Sequence, residues 1–191
     1  MKNKKIGFWG GCFNPPSCAH IDLAVNMLQD LNLDKIFFVP VGDYYEKNGL
    51  ENSAHRYNML KIATDKIDNL EVEDIELKTT EKLYAKDAFK ILNEKYNESD
   101  NYFIMGSDNF LKMPTWKEYE SIIEKYKYII VKRPNFNVNI NIKNIIYYEP
   151  NQTKNISSTI IRKSLKEKKY IEGYIERDVY NYILENKLYN I

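Results

Sequence analysis

The sequence predicts an α/β protein with a Rossmann-like, doubly wound parallel sheet of about five to six strands and helices on both faces. Short apolar runs recur along the chain and alternate with segments of helical periodicity, which is typical of parallel strands joined by crossover helices. Unusual polar clusters follow several of these runs directly. In such sheets, ligands bind beyond the carboxyl ends of the strands, so these clusters are the candidate site.

The first half of the chain holds three predicted strands and two predicted helices. The strands are short apolar runs at Ile6–Trp9, Lys35–Pro40 and Leu70–Leu77. The first helix follows His20, and its apolar residues share one face: Leu23, Ala24, Met27, Leu28 and Leu31. The second begins after Asn52, a typical N-cap residue, and carries the apolar residues Met59, Leu60 and Ala63.

The second half continues the same alternation. Its predicted strands are again short and apolar, at Tyr102–Met105, Tyr128–Val131 and Ile145–Tyr148. Its predicted helices cover the periodic segments Tyr84–Lys95, Lys117–Lys125, Ser158–Lys168 and Glu176–Glu185. The Asn-rich stretch Asn135–Asn144 predicts a loop. No repeat or composition break divides the chain, so we interpret residues 1–191 as one domain.

Composition narrows the class of protein. The 28 basic and 27 acidic residues leave a net charge of +1, which argues against a general nucleic-acid binder. The only two cysteines, Cys12 and Cys18, lie in one loop and predict neither a disulfide framework nor a zinc site. We see no signal-peptide pattern and no apolar run of membrane-spanning length. We therefore expect a cytoplasmic protein with no membrane partner.

The loop between the first strand and the first helix has the character of a phosphate site. Gly10 and Gly11 let the backbone approach a ligand closely, and amides at a helix N-terminus favour phosphate oxygens. Ser17 and His20 are three residues apart, so both can face one point at the helix start. A histidine there can donate a hydrogen bond to a phosphate as charge builds on it. A Gly-Pro turn with a capping Ser and an incidental His fits the spacing equally well.

Two further clusters have the same double interpretation. Ser157, Ser158 and Thr159 open a predicted helix that carries Arg162, a set that suits a phosphate chain or an ordinary N-cap with a solvated Arg.

The other cluster follows the strand at Tyr102–Met105. Gly106 and Asp108 suit a ribose hydroxyl, and the indole of Trp116 suits a flat heteroaromatic ring. Their alternative is an Asp cap and a core Trp. His55, at the start of the second predicted helix, is interpreted as a cap or as a partner of the loop at residues 43–47.

Taken together and in this order, the motifs resemble those of the nicotinamide/nicotinate mononucleotide adenylyltransferases, within the HxGH nucleotidylyltransferase superfamily. The resemblance covers nearly the whole chain. Its segments are Gly10–His20, Pro40–Leu50, His55-Arg56, Gly106–Asp108, Pro114–Trp116, Arg133-Pro134, Ile156–Arg162 and Asp178–Tyr189. The chain departs from the common bacterial pattern at Ser17, where His is usual, at Ala19, where Gly is usual, and at Ala85, where Thr is frequent.

The resemblance implies adenylyl transfer from ATP to a pyridine mononucleotide, with Mg²⁺ carried mainly by the ATP phosphates and no metal site in the protein. It implies catalytic roles for His20, Ser17 and Arg162. Implied ATP-binding residues are Gly11, Cys12, His20, Gly106, Asp108, Ser157, Ser158, Thr159 and Arg162. Implied mononucleotide-binding residues are Lys47, Tyr84, Thr115, Trp116 and Arg133. Helices from about residue 158 would close the nucleotide site.

Several alternatives stay open at this point. The acceptor could be another phosphorylated compound, such as phosphopantetheine or a phospho-alcohol, although Pro114–Trp116 favours a pyridine nucleotide. A nucleotide-binding sensor that lost catalysis through the changes at Ser17 and Ala19 is the non-enzyme alternative. Acid-versus-amide preference is also open, and the sequence is compatible with a homo-oligomer.

Overall fold

The computed structural model describes residues 3–79, 81–138, 142–151, 156–167, 169–170 and 172–190. Six strands form one sheet in the order β3-β2-β1-β4-β5-β6, and every neighbouring pair is parallel. The strands are β1 (Lys4–Gly11), β2 (Lys35–Pro40), β3 (Leu70–Val72), β4 (Ser99–Gly106), β5 (Lys127–Val131) and β6 (Ile145–Tyr148). The predicted doubly wound parallel sheet is confirmed.

Helices connect and cover the strands. They are α1 (Cys18–Asp30), α2 (Ser53–Thr64), α3 (Ala85–Lys95), α4 (Ser107–Phe110), α5 (Tyr119–Lys125), α6 (Ser158–Lys166) and α7 (Arg177–Glu185), with 3₁₀ turns at Met113–Thr115 and Leu188–Asn190. The sequence did not predict α4, because four residues are too few to show helical periodicity. The predicted end of α6 at Lys168 lies outside the described residues.

The predicted third strand was too long. β3 ends at Val72, although the backbone N–H of Glu73 still donates to the carbonyl of Phe38 at 2.8 Å. The Glu73 side chain is buried and accepts hydrogen bonds from Lys95 and the Tyr96 hydroxyl. The chain then turns away from the sheet, because the buried carboxylate holds it against α3.

The buried face of α1 also differs from the prediction. The buried residues of α1 are Cys18, Ile21, Ala24 and Met27. The predicted core residues Leu23 and Leu31 are only partly buried. The helix begins at Cys18, and its buried stripe follows a spacing of three residues from Cys18 onwards.

Each face of the sheet has its own apolar core. Side chains alternate along every strand, so Phe8 and Phe103 join one core while Trp9 and Ile104 join the other. The core of Trp9 is covered by α1, α2, α6 and α7, and the core of Phe8 by α3 and α5. The C-terminal helices therefore lie on the same face as the helix that follows the opening loop.

The topology places the candidate site between β1 and β4. The connections from these two neighbouring strands leave toward opposite faces, so a crevice opens beyond their carboxyl ends. The loops that begin at Gly11, Pro40, Gly106 and Val131 all start at this edge. Among the described residues, no helix is both long enough and apolar enough to cross a membrane.

Candidate active site

Ser17 and His20 form a reciprocal cap at the start of α1. The Ser17 backbone N–H donates to Nδ1 of His20 at 3.1 Å, and the backbone N–H of His20 donates to Ser17 Oγ at 3.4 Å. Ser17 Oγ also lies 2.7 Å from His20 Nδ1. A backbone N–H can only donate, so Nδ1 acts as the acceptor and the neutral ring carries its proton on Nε2.

Two aromatic rings surround His20. Trp9 and Phe13 lie with their centroids 5.9 and 5.4 Å from the imidazole, both at steep interplanar angles. Burial lowers the pKa of His20 to about 4, and the positive charge of Arg133 lowers it as well. His20 is therefore a neutral hydrogen-bond donor at pH 7, held at the phosphate-type loop that the sequence identified.

The start of α6 is docked on the opening loop. Ser158 Oγ donates to the carbonyl of Pro15 at 2.8 Å, and Arg162 Nη1 donates to the carbonyl of Asn14 at 2.8 Å. Ser157 caps the helix, since its hydroxyl accepts the N–H of Ile160. The two motifs that the sequence separates by more than a hundred residues thus meet in space, with the N-terminus of α6 beside the N-terminus of α1.

Thr159 and Arg162 present further polar groups at this junction. Arg162 Nη2 donates to Thr159 Oγ1 at 3.3 Å. The guanidinium has five donors, of which the contacts to described residues use two. Ser157 and Thr159 are exposed, and Ser158 and Arg162 are half-buried.

Asn14 is a positioning residue that the sequence analysis did not single out. Its buried side chain donates to the carbonyl of Gly49 at 2.7 Å and accepts the N–H of Glu51 at 3.1 Å and the hydroxyl of Tyr189 at 3.0 Å. Asn14 therefore fixes the opening loop against the loop after β2 and against the C-terminal segment. The only sequence signal for it was its place in the Gly-Gly-x-Phe-Asn-Pro motif.

Arg56 is the second residue that the sequence analysis missed. It is fully buried, and its guanidinium donates to three carbonyls, those of Glu51 at 2.8 Å, Cys12 at 3.0 Å and Val41 at 2.6 Å. Asp43 lies 3.7 Å away and supplies the nearest opposite charge. A charged residue in a polar helix start gives no sign of burial in a sequence, and only its adjacency to His55 had drawn it into a motif.

The glycines of the site make close approaches. A Cβ on Gly11 would lie 2.9 Å from the Phe13 ring, and a Cβ on Gly106 would lie 2.3 Å from Asp108 Oδ1. Gly106 also lies close to Arg133, whose Nε would be 3.0 Å from that Cβ. Asp108 and Arg133 are half-buried, so a carboxylate and a guanidinium both lie beside Gly106 at the end of β4.

The loop after β2 brings Lys47 to the opening loop. Lys47 Nζ lies 3.9 Å from Cys12 Sγ, and Lys47 itself is exposed. The loop is tied to α2 through Asp43, which accepts the backbone N–H of Ser53 at 2.6 Å and its hydroxyl at 2.8 Å. The structure thus places Lys47 beside the predicted phosphate loop.

His55 has a different partner from the loop that the sequence suggested. Its Nδ1 lies 2.9 Å from the hydroxyl of Tyr182 on α7, and the Asn58 amide donates to the same hydroxyl at 3.0 Å. Ser53, rather than His55, binds the loop at Asp43. His55 therefore joins α2 to the C-terminal helix.

Tyr84, Thr115 and Trp116 form a second group at the same edge of the sheet. Tyr84 is exposed at the start of α3, and Lys117 Nζ lies 5.2 Å from its ring centroid. Trp116 is half-buried against the core on this face, and the hydroxyl of Thr115 donates within its own turn to Lys112. None of the contacts described for these three residues reaches His20.

The described residues contain no group of three or more His, Cys, Asp or Glu side chains that could hold a metal ion. The absence of a protein metal site stays a prediction.

Comparisons with known proteins identify the family of the chain. The family model described as cytidylyltransferase-like matches residues 8–164. The nicotinate-nucleotide adenylyltransferase of Bacillus subtilis (strain 168) is 31% identical over 188 residues, which cover 97% of this chain and 98% of that protein.

Two solved structures share the fold. The Plasmodium falciparum nicotinic acid mononucleotide adenylyltransferase complexed with NaAD has a TM-score of 0.81 at 24% identity, with 98% of each chain covered. The same enzyme complexed with APC has a TM-score of 0.78 at 25% identity, again with 98% of each chain covered. The chain therefore belongs to the cytidylyltransferase-like family and, within it, to the nicotinate-nucleotide adenylyltransferases.

Proposed function

We propose that this protein transfers the adenylyl group of ATP to the 5′-phosphate of nicotinate mononucleotide, forming the dinucleotide and pyrophosphate. The observation that carries the proposal is the junction of the two helix starts. His20, a neutral donor on α1, and Arg162, a cation on α6, are both fixed to the loop between β1 and α1. The identity of the substrates is proposed from the relatives, which are named as nicotinate-nucleotide adenylyltransferases.

The reaction requires little covalent chemistry from the protein. A phosphate oxygen of the mononucleotide attacks the α-phosphorus of ATP, and the bond from that phosphorus to the β-bridging oxygen breaks. Pyrophosphate leaves with the electron pair of that bond. Positioning and charge stabilisation carry the rate, because no protein nucleophile is needed. Nε2–H of His20 donates to the α-phosphate as negative charge accumulates on its oxygens.

The N-terminus of α6 receives the β- and γ-phosphates. Its first-turn N–H groups favour an anion, and the N–H groups of Arg162 that are not used by Asn14 and Thr159 supply charge. The hydroxyl of Ser158 can turn from the Pro15 carbonyl to a phosphate oxygen. Helix α6 would thus close one side of the nucleotide site.

The remaining groups divide between the two substrates. Gly106 and Asp108, at the end of β4, would receive the adenosine ribose, because a carboxylate at the end of a parallel strand suits a ribose hydroxyl. Lys47 and Arg133 flank the opening loop from the β2 and β5 sides, and they would bind the mononucleotide phosphate. Trp116 would pack on the pyridine ring. Mg²⁺ would arrive with ATP and reduce the charge on its phosphates.

The surroundings of Tyr84 favour the acid over the amide mononucleotide. Two ammonium groups, Lys82 Nζ and Lys117 Nζ, lie 5.1 and 5.2 Å from the centroid of this exposed ring. An anionic substituent on a pyridine ring bound near Trp116 would be attracted to them, whereas an amide would not.

The double variant Lys82→Ala/Lys117→Ala tests this preference. We expect the ratio of kcat/KM for the acid to kcat/KM for the amide to fall by about tenfold, which corresponds to roughly 1.4 kcal/mol. Lys90→Ala, an exposed change on α3, is the matched control and should leave the ratio unchanged. An unchanged ratio in the double variant would remove these lysines from acid recognition.

The function itself is tested by pyrophosphate release with ATP and Mg²⁺, comparing the acid mononucleotide, the amide mononucleotide and a panel of other phosphorylated acceptors. We expect product with the pyridine mononucleotides and none with phosphopantetheine. Product only with another acceptor would identify a different transferase. Binding of ATP without pyrophosphate release from any acceptor would identify a nucleotide sensor.

A further inference from the structure

Ser17 departs from the pattern of the family that the sequence resembles, in which His is usual, and its surroundings differ from those of a ligand-binding side chain. Its exposed fraction is 2%, so it offers almost no surface to a substrate. Its hydroxyl oxygen lies 2.7 Å from Nδ1 of His20 and accepts the backbone N–H of His20 at 3.4 Å. Both contacts lead to the same residue, the predicted α-phosphate donor.

The hydrogen-bond chemistry of these contacts leaves one arrangement. The backbone N–H of Ser17 must donate to Nδ1 of His20, which makes that nitrogen an acceptor. A serine hydroxyl has one donor and two acceptor positions, so Ser17 can accept the N–H of His20 while its O–H shares the single lone pair of Nδ1 with the Ser17 backbone N–H. Among the described contacts, Ser17 holds the imidazole through Nδ1, with Nε2 at the far side of the ring.

We propose that Ser17 is a positioning residue that fixes the tautomer and orientation of His20, rather than a direct phosphate ligand. The proposal rests on the adenylyltransferase function, since it assigns the Nε2 proton to the reacting phosphate. The edges of Trp9 and Phe13 limit how far the ring can tilt, and Ser17 sets which nitrogen points outward. Catalysis through His20 is therefore compatible with a serine at position 17.

The experiment compares the wild type with Ser17→Ala, Ser17→Thr and Ser99→Ala. Alanine keeps the backbone N–H but loses the hydroxyl, and threonine restores the hydroxyl. Ser99→Ala is the matched control, because it also removes a hydroxyl that makes two hydrogen bonds, but at the opposite end of the sheet. Loss of the Ser17 cap should cost about 0.5 to 2 kcal/mol of stability, so each variant is first checked for a cooperative unfolding transition.

The first readout is the ¹⁵N spectrum of the imidazoles, which distinguishes protonated from unprotonated ring nitrogens without any substrate. With only His20 and His55 in the chain, a His55→Gln variant assigns the signals. We expect wild type, Ser17→Thr and Ser99→Ala to show His20 as the Nε2–H form alone. Ser17→Ala should keep the Nε2–H form, because its backbone N–H still donates to Nδ1, and should show the Nδ1 signal displaced by loss of the hydroxyl contact.

The second readout is the division between kcat and KM. In Ser17→Ala we expect kcat to fall by about tenfold with KM for ATP within about twofold, because a misplaced donor weakens the transition state more than substrate binding. Ser17→Thr should recover most of that loss.

A wild-type spectrum and wild-type kcat in Ser17→Ala would overturn the proposal. So would a raised KM for ATP with kcat unchanged, which would place the hydroxyl on the phosphate chain. Failure of the wild type to form product would count against the adenylyltransferase function, while the spectra would still report on Ser17.

Discussion

At the level of single residues, His20 combines a low pKa with a fixed orientation of its imidazole ring. Its Nδ1 is occupied by the Ser17 N–H, and its ring is edged by Trp9 and Phe13. A positively charged imidazole would be costly in this setting, while a neutral one can donate through Nε2. In the proposed reaction, His20 would therefore stabilise the negative charge that develops on the α-phosphate in the transition state, rather than neutralise the charge of bound ATP.

Replacing His20 should therefore affect turnover. His20→Ala is expected to lower kcat by roughly 100-fold or more, by comparison with removal of one oxyanion donor. Steady-state kinetics with saturating ATP measure the effect. His55→Ala serves as the control, because His55 contacts Tyr182 on α7 and not the opening loop. Turnover within a few-fold of the wild type in His20→Ala would remove this residue from the mechanism.

The pKa of His20 also predicts a pH dependence of stability. Its folded-state pKa of about 4 lies below the unfolded value of 6.5, so between these pH values the unfolded chain binds more protons. The stability that neutral His20 contributes is complete above pH 6.5 and is lost as the pH falls toward 4.

An NMR titration of the His20 ring should give a midpoint near pH 4, and urea unfolding should show a smaller acid loss of stability in His20→Gln than in the wild type. A midpoint near 6.5 would contradict the buried, Nδ1-bonded ring.

At the level of elements, the site depends on three segments that meet at Arg56. The carbonyls of Cys12, Val41 and Glu51 belong to the loop after β1, the start of the loop after β2 and the approach to α2. None of these segments has regular structure of its own there. One guanidinium therefore sets the distances between loops that carry the residues proposed to bind the two substrates.

Arg56→Lys should expose this dependence. The three carbonyls are arranged around a planar guanidinium. The ammonium group of lysine keeps the charge but cannot donate to all three, so at least one buried carbonyl loses its donor. We expect a loss of about 2 to 4 kcal/mol in the free energy of unfolding, measured by urea denaturation. Arg177→Lys, at an exposed arginine beside Tyr170, is the matched control. Equal stability of the two variants would show that Arg56 is not the residue that joins the loops.

At the scale of the whole molecule, the helices of the Trp9 face hold the nucleotide site together. Helix α1 contributes His20, and α6 contributes Arg162 across the opening loop, so a ligand bound at the proposed site would meet both helix starts. A ligand that bridges them should stabilise the entire fold, because both helices pack into the same apolar core.

Thermal unfolding tests that coupling. ATP at about 100 times its Kd should raise Tm by roughly 5 to 10 °C for a chain of this size. His20→Ala should keep most of this shift, because its contribution belongs to the transition state. Arg162→Ala should lose most of it. Loss of the shift in His20→Ala alone would mean that His20 binds the ground state instead.

Much of the fold could be predicted from the sequence, because strands here are short apolar runs with clear ends. β2 was predicted with its observed bounds, Lys35–Pro40, and the parallel sheet with helices on both faces follows from the alternation of elements. β3 was overestimated because Glu73 turns inward to Lys95 and Tyr96, a contact between distant segments. Local patterns cannot show which polar side chain will be buried by its partners.

The candidate site was predictable only in its motifs. Gly10–His20 and Ile156–Arg162 stand out as unusual polar clusters, and the structure brings them together. Arg56 and Asn14 could not be identified as positioning residues from their sequence context. Their importance comes from carbonyl and hydroxyl partners in other segments, which no helical or strand periodicity reveals.

The contact between Asn14 and Tyr189 has a consequence for the making of the protein. The two residues are 175 positions apart, and the tyrosine hydroxyl donates to the asparagine side chain inside the finished molecule. A ribosome that adds roughly 5 to 20 residues per second would reach Tyr189 about 9 to 35 s after Asn14. During that interval the nascent chain carries its opening loop without the Tyr189 hydroxyl. The hydrogen bond from Tyr189 to Asn14 can form only after Tyr189 itself has left the ribosome.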